Sequence, residues 1–217
     1  MDKPIIYGLH VSPPVRSVLL VAAAIGLDFE FRQVNLLAGE QMKPEYLKMN
    51  PQHTVPTLDD GGLLIWDSHA IATYLIGKYG KDDNLYPKDL YKRALVDQRL
   101  HFDSGILFVR LRAIFDSVVF FNDPIIPQEK LDALDQGYEF MDKFLAASPY
   151  LVGDSLTVAD LCCIASISTA QGVLPVDKEK YPNLATWMKR MEELPYYEEA
   201  NGKNVREFIA FTNSKIG

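Results

Sequence analysis

The chain has 217 residues, 48% of them apolar, and a formal net charge of −7 at pH 7; this suffices for the core of one large domain or two small ones. The acidic balance, with no dense Lys/Arg tract, argues against a nucleic-acid partner. No apolar run approaches the ~20 residues of a membrane helix, residues 18–25 being stopped by Gly26, so no membrane partner is expected.

Along the chain, Met1-Asp2-Lys3-Pro4 lacks the basic and apolar pattern of a secretory leader. Residues 5–9 read as a strand. Ser12 and two prolines then open a helix over 14–25. The alternation Phe29, Phe31, Val34 predicts a strand over 29–35, and a short helix covers 44–49. Runs over 55–58 and 63–66 flank Asp59-Asp60-Gly61-Gly62, the turn chemistry of a hairpin. A helix over 68–79 ends the series. The order βαβ-α-ββα predicts an α/β domain over 1–81. The polar segment 82–87, closed by Pro87, reads as a linker. Residues 88–217 read as all-α, with one long helix over 88–121 and further helices over 127–147, 158–171, 182–193 and 196–211. Thr157 and Asp160 have the spacing of a capping box, which assigns Asp160 to helix nucleation rather than to catalysis. The cysteines, Cys162 and Cys163, are adjacent in an apolar helix, which fits a reducing compartment and hence the cytoplasm.

No metal is expected, because His10, His53, His69 and His101 lack partners at ligand spacing. The chemistry concentrates in three stretches. In Ser12-Pro13-Pro14-Val15-Arg16 a serine stands before a helix, either as an ordinary N-cap or as a donor to a bound anion. Tyr7 is a competing hydroxyl, though its strand position marks it for packing. In Asn50-Pro51-Gln52-His53-Thr54-Val55-Pro56-Thr57-Leu58, Pro56 opens a strand. A cis Val55–Pro56 bond would turn the Val55 amide and carbonyl toward an extended ligand. His53 is either a surface histidine or a contact for a ligand carboxylate. In Trp66-Asp67-Ser68-His69-Ala70-Ile71 a helix start offers amides and a hydroxyl to a carboxylate, while Asp67 suits an ammonium; the alternative is a plain cap. An anion or thiolate site, a peptide-pairing edge and an amino-acid-head site together meet the needs of a γ-glutamyl tripeptide thiol.

These stretches, with Leu85-Tyr86-Pro87, Leu156-Thr157-Val158-Ala159-Asp160 and the run Leu194-Pro195-Tyr196-Tyr197-Glu198-Glu199-Ala200-Asn201-Gly202, resemble cytosolic glutathione transferases. The insect epsilon class is the nearest match and the delta class the next. The resemblance implies a thioredoxin-like glutathione-binding domain followed by an all-helical domain. It implies glutathione as co-substrate, with Ser12 stabilising its thiolate. It also implies Val55 beside cis-Pro56 pairing with the cysteinyl residue, His53 and Gln41 at the glycyl carboxylate, Asp67 and Ser68 at the γ-glutamyl head, His69 among the glutathione-binding residues, and Arg112 at the mouth. Gln41 stands where many relatives have histidine, and Asp67 where the family usually has glutamate, so both contacts are expected to be altered.

Phe108, Arg112, Phe115 and Val119 share one helix face. With Leu36, and more weakly Phe120 and Phe208, they are expected to line an apolar substrate site; the bland alternative is core packing with a solvated arginine. The activity implied is conjugation of glutathione to apolar electrophiles, extending to dehydrochlorination or peroxide reduction. The alternative is a non-catalytic carrier of hydrophobic ligands or steroids. A homodimer is implied, with Arg99, Asp103 and His69 as polar candidates for the two-fold contact.

Overall fold

Parallel strands need a crossover, and the helix after the first strand supplies it. The computed structural model describes residues 3–121 and 123–216. Strands β1 (Ile5–Gly8), β2 (Glu30–Gln33), β3 (Thr57–Asp60) and β4 (Leu63–Trp66) form one sheet in the order β2-β1-β3-β4. β1 runs parallel to β2 and antiparallel to β3, and β3 is antiparallel to β4. Helix α1 (Pro13–Ile25) links β1 to β2, α2 (Pro44–Met49) follows β2, and α3 (Ser68–Tyr79) follows the hairpin.

The third strand lies two residues later than expected. Val55–Pro56 is cis, and proline has no N–H for the ladder, so pairing begins at Thr57. Asp60 then pairs with Leu63, which leaves Gly61-Gly62 as a two-residue turn. Both have positive φ, 63° and 89°, the requirement of a tight hairpin.

The remaining elements are α4 (Leu90–Phe102), α5 (Phe108–Phe120), α6 (Gln128–Phe144), α7 (Val158–Ala170), α8 (Pro182–Glu192) and α9 (Lys203–Asn213). The long helix expected over 88–121 is interrupted by a π segment, Asp103–Leu107. A second π segment, Glu198–Gly202, precedes α9, where one helix was also expected. A π turn holds an extra residue and shifts the phase of the face that follows. In the first segment Asp103 is buried and its carboxylate meets His69 of α3 at 2.8 Å.

The core is centred on α7, buried at every one of its thirteen positions. A helix without a polar face belongs in the middle of a fold. α1 packs against both α3 and α7, which joins the sheet to the helices. At the start of α7, the buried Asp160 carboxylate accepts from the amides of Leu151 and Thr157, the Thr157 hydroxyl and the Trp187 indole, all at 2.9 Å. The capping box expected from Thr157 and Asp160 is present, and it also anchors α8 through Trp187.

The polar residues expected to make a two-fold contact are engaged within the chain. Asp103 and His69 hold each other. The Arg99 guanidinium lies 3.7 Å over the Phe144 ring, and its Nε donates to the Leu151 carbonyl.

Asp160→Ala would strand three buried N–H donors. Each costs about 1–3 kcal/mol when left unmade, so the variant should lose about 3–5 kcal/mol in chemical denaturation. A loss below about 1 kcal/mol would show that water replaces the carboxylate.

Candidate active site

Ser12 occupies the N-cap of α1 with extended backbone, φ −69° and ψ 127°, yet its hydroxyl caps nothing. A cap hydroxyl bonds the amide two or three residues on; Pro14 has no N–H to offer, and the Ser12 hydroxyl does not take the Val15 amide that remains. Ser12 is thus not an ordinary cap, and it lines a cleft of about 1090 Å³. Tyr7, the competing hydroxyl, is bonded by Arg32 at 2.9 Å and does not line the cleft.

Gln41, His53, Val55, Asp67, Ser68 and His69 line the same cleft. So do Leu36, Phe108, Arg112, Phe115, Val119, Phe120 and Phe208. Pro56 does not; it is buried behind Val55, and its part is confined to the shape of that turn.

The Val55 turn is braced from below. Asn50 Nδ2 donates to the Thr54 carbonyl at 3.0 Å and to the Thr57 hydroxyl at 3.0 Å, and the Tyr46 hydroxyl donates to the Thr54 carbonyl at 2.7 Å. Among the described residues no backbone partner takes the Val55 amide or carbonyl. A rigid turn with a free amide and carbonyl is an edge ready to pair with an extended peptide.

Asp67 both caps and remains available. Its Oδ1 accepts from the His69 and Ala70 amides at 3.0 and 3.1 Å, while Oδ2 takes no partner among the described residues. Asp67 has φ 75° and His53 φ 48°, the two non-glycine residues in the positive-φ region among those described. Both line the cleft. Backbone strain gathered at one cavity is a mark of function.

Gln41 is held from within the chain. Its Nε2 donates to the Leu36 carbonyl at 3.3 Å, and its Oε1 is buried without a partner. In this orientation it presents an acceptor, which suits no carboxylate; rotating the amide by a half-turn would exchange the poles. Arg112 is exposed and held by Asp116, Nε to Oδ2 at 2.9 Å. Phe115 is buried, and it meets Phe208 edge to face at 4.9 Å, so it is both core and cleft wall. Glu207 and Phe211 of α9 also line the cleft and were not anticipated. The spacing of Phe208 and Phe211, three apart on one helix, was the available signal.

The N-terminal glutathione S-transferase domain matches residues 6–83, and the C-terminal domain of that family matches residues 102–195. Glutathione S-transferase 1 of Manduca sexta is 50% identical over 198 residues, covering 90% of this chain and 91% of its own. This chain belongs to the glutathione S-transferase family. An epsilon-class glutathione S-transferase from the housefly Musca domestica superposes with a TM-score of 0.96 at 48% identity, covering 98% of each chain. A Drosophila mojavensis glutathione transferase homologue with bound glutathione gives 0.97 at 49%, covering 100% of this chain and 99% of its own. A delta-class enzyme of Nilaparvata lugens gives 0.92 at 40%, covering 98% and 99%. The chain is thus a glutathione S-transferase similar to those of the insect epsilon class, and the fold of sheet-bearing domain followed by helical domain is that of the family.

In this transferase, burial opposes protonation of His69, but the hydrogen bond and charge of Asp103, with help from Asp67, outweigh it and raise its pKa above 6.5. A raised folded-state pKa means that protonation stabilises the fold. The contribution is complete below the unfolded value of ~6.5 and is lost as pH rises through the folded value. Unfolding free energy should therefore fall across that window in the wild type and stay flatter in Asp103→Asn. Parallel slopes for the two proteins would remove the pair from the pH response.

Proposed function

We propose that this enzyme conjugates glutathione to apolar electrophiles, with the Ser12 hydroxyl stabilising the attacking thiolate. The observation that carries the reading is a serine at a helix start that lines a large cleft, its hydroxyl uncommitted to capping. A carrier has no use for such a group. The free oxygen of Asp67, with Ser68, suits the γ-glutamyl ammonium and carboxylate. The open Val55 amide and carbonyl suit the cysteinyl residue, and His53 suits the glycyl carboxylate. Phe108, Phe115, Val119, Phe120, Phe208 and Leu36 supply the apolar wall, with Arg112 at its edge. Elimination of halide and reduction of peroxide use the same thiolate and belong to this proposal as further outlets.

A thiol of pKa near ~8.5 is only a few per cent ionised at neutral pH, so holding the thiolate is the main service an active site can offer. A hydrogen bond to a charged group is worth about 1.5–3 kcal/mol, or about one to two pKa units. Ser12→Ala should raise the pKa of bound glutathione by that amount. It should also cut turnover with a generic aromatic halide about ten- to hundredfold at neutral pH, with partial recovery at higher pH. Phe115→Ala in the same assay should weaken bulky apolar substrates and leave glutathione affinity nearly unchanged. An unchanged thiol titration in Ser12→Ala would defeat the Ser12 assignment.

The homodimer is part of the proposal. Leu63 and Leu64 on β4, and Leu90 and Tyr91 at the start of α4, are exposed apolar residues that a partner would cover. We assign the enzyme to the cytosol on its free, buried Cys162 and Cys163, which fit a reducing compartment; among the described residues no helix is long and apolar enough to cross a membrane. Sedimentation at micromolar concentration should give twice the chain mass of 24.5 kDa. A single-chain mass would refute the dimer.

A further inference from the structure

One helical turn beyond Ser12, Arg16 is fully buried in α1. A cation in the core ordinarily meets a carboxylate, because burying it unpaired is costly. The partners of Arg16 are all neutral. Its Nε donates to the Val11 carbonyl at 3.3 Å. One terminal nitrogen donates to the Asn201 side-chain oxygen and, at 3.4 Å, to the Ser168 hydroxyl; the other donates to the Thr169 hydroxyl. The charged and titratable groups on the packed elements do not neutralise it. Tyr197 is a buried phenol whose pKa is raised. Glu198 and Glu199 pair with Arg206 and Lys203. Burial raises the pKa of Cys162 and Cys163 on α7 well above the usual thiol range, and His69 on α3 is bound to Asp103. Burial pushes the Arg16 pKa down to about 9, which leaves the guanidinium cationic at neutral pH.

We infer that Arg16 is a positioning residue of the thiolate site, and that its unpaired buried charge helps to hold the glutathione sulfur ionised beside Ser12. The proposal rests on the Ser12 reading above. Three observations support it. Pro13 and Pro14 remove two of the amides that give a helix start its pull on anions, so the site needs positive charge from elsewhere. Arg16 lies one turn away, and the field of a charge with no counterion in a low-dielectric core is weakly screened. The residue also grips the loop that carries Ser12, since its side chain holds the Val11 carbonyl and its amide donates to the Ser12 carbonyl at 3.0 Å. The same guanidinium reaches Asn201 in the π segment that leads into α9, the helix that brings Phe208 to the cleft. One buried cation thus ties the thiolate loop to the substrate wall.

Asn201→Asp tests the charge directly. The side chain keeps its size and its acceptor for Arg16 but adds the missing negative partner. In the folded full-length enzyme, the titration midpoint of bound glutathione should rise by about one pKa unit. The kcat at neutral pH should fall about five- to tenfold and recover at high pH, while KM for glutathione changes by less than about twofold. Arg16→Lys keeps the charge and loses the fork; its midpoint should stay closer to wild type than that of Asn201→Asp, although its thermal stability falls. If Asn201→Asp does not fold, Thr169→Asp places the carboxylate at the other nitrogen and is judged by the same midpoint. A folded carboxylate variant with the wild-type midpoint overturns the proposal, as does an equal rise in Arg16→Lys. Ser12→Ala titrated alongside separates the two ideas, because an unchanged midpoint there removes Ser12 while the carboxylate variant still decides Arg16.

Discussion

Helix α1 has no solvent face through its middle; residues 15–22 are all buried, wedged between α3 and α7. This packing fixes everything near Ser12. A helix held on two sides cannot slide, so its first residue has one position relative to both domains. The approach of β1 to α1 is so close that a Cβ at Gly8 would meet the Val15 methyls at 2.9 Å. Glycine there lets strand and helix meet, and the loop between them delivers Ser12. The cleft opens where this loop, the α3 start and the α5 face converge.

Within that frame, polar groups divide into satisfied and unsatisfied. Asp160 takes four donors. Asp60 takes the Tyr74 and Tyr79 hydroxyls at 2.7 Å and the Lys78 amine at 2.6 Å. These carboxylates are scaffold, since buried polar groups with full partners specify packing. Around the cleft the pattern reverses. Among the described residues, the Ser12 hydroxyl, the Val55 backbone and one oxygen of Asp67 are left open by a fold that satisfies their neighbours. Groups left open beside strained backbone are what a ligand completes.

Much of this was legible in the sequence, because it depends on short-range chemistry. The Gly61-Gly62 turn, the proline-led helix starts and the Thr157–Asp160 box are written within a few residues. The strand after Pro56 was misplaced because hydrophobicity begins at Val55, while ladder bonding waits for an N–H. The π segments were illegible, since a π turn uses the same residues as an α turn. The His69–Asp103 pair spans 34 positions, and the partners of Arg16 on α7 and before α9 lie 152 to 185 positions away. Only the assembled fold brings such groups together. Ser12 itself stood open between cap and donor, since Pro14 removes only one of the two amides a cap could use.

The central claim is that the wild-type site ionises glutathione. It is tested most directly by the ultraviolet thiolate band that appears when glutathione is added to the enzyme, followed as a function of pH. The account predicts a band at neutral pH and a titration midpoint at least about one unit below the ~8.5 of a free thiol. A bound tripeptide that titrates at or above the free value would contradict it.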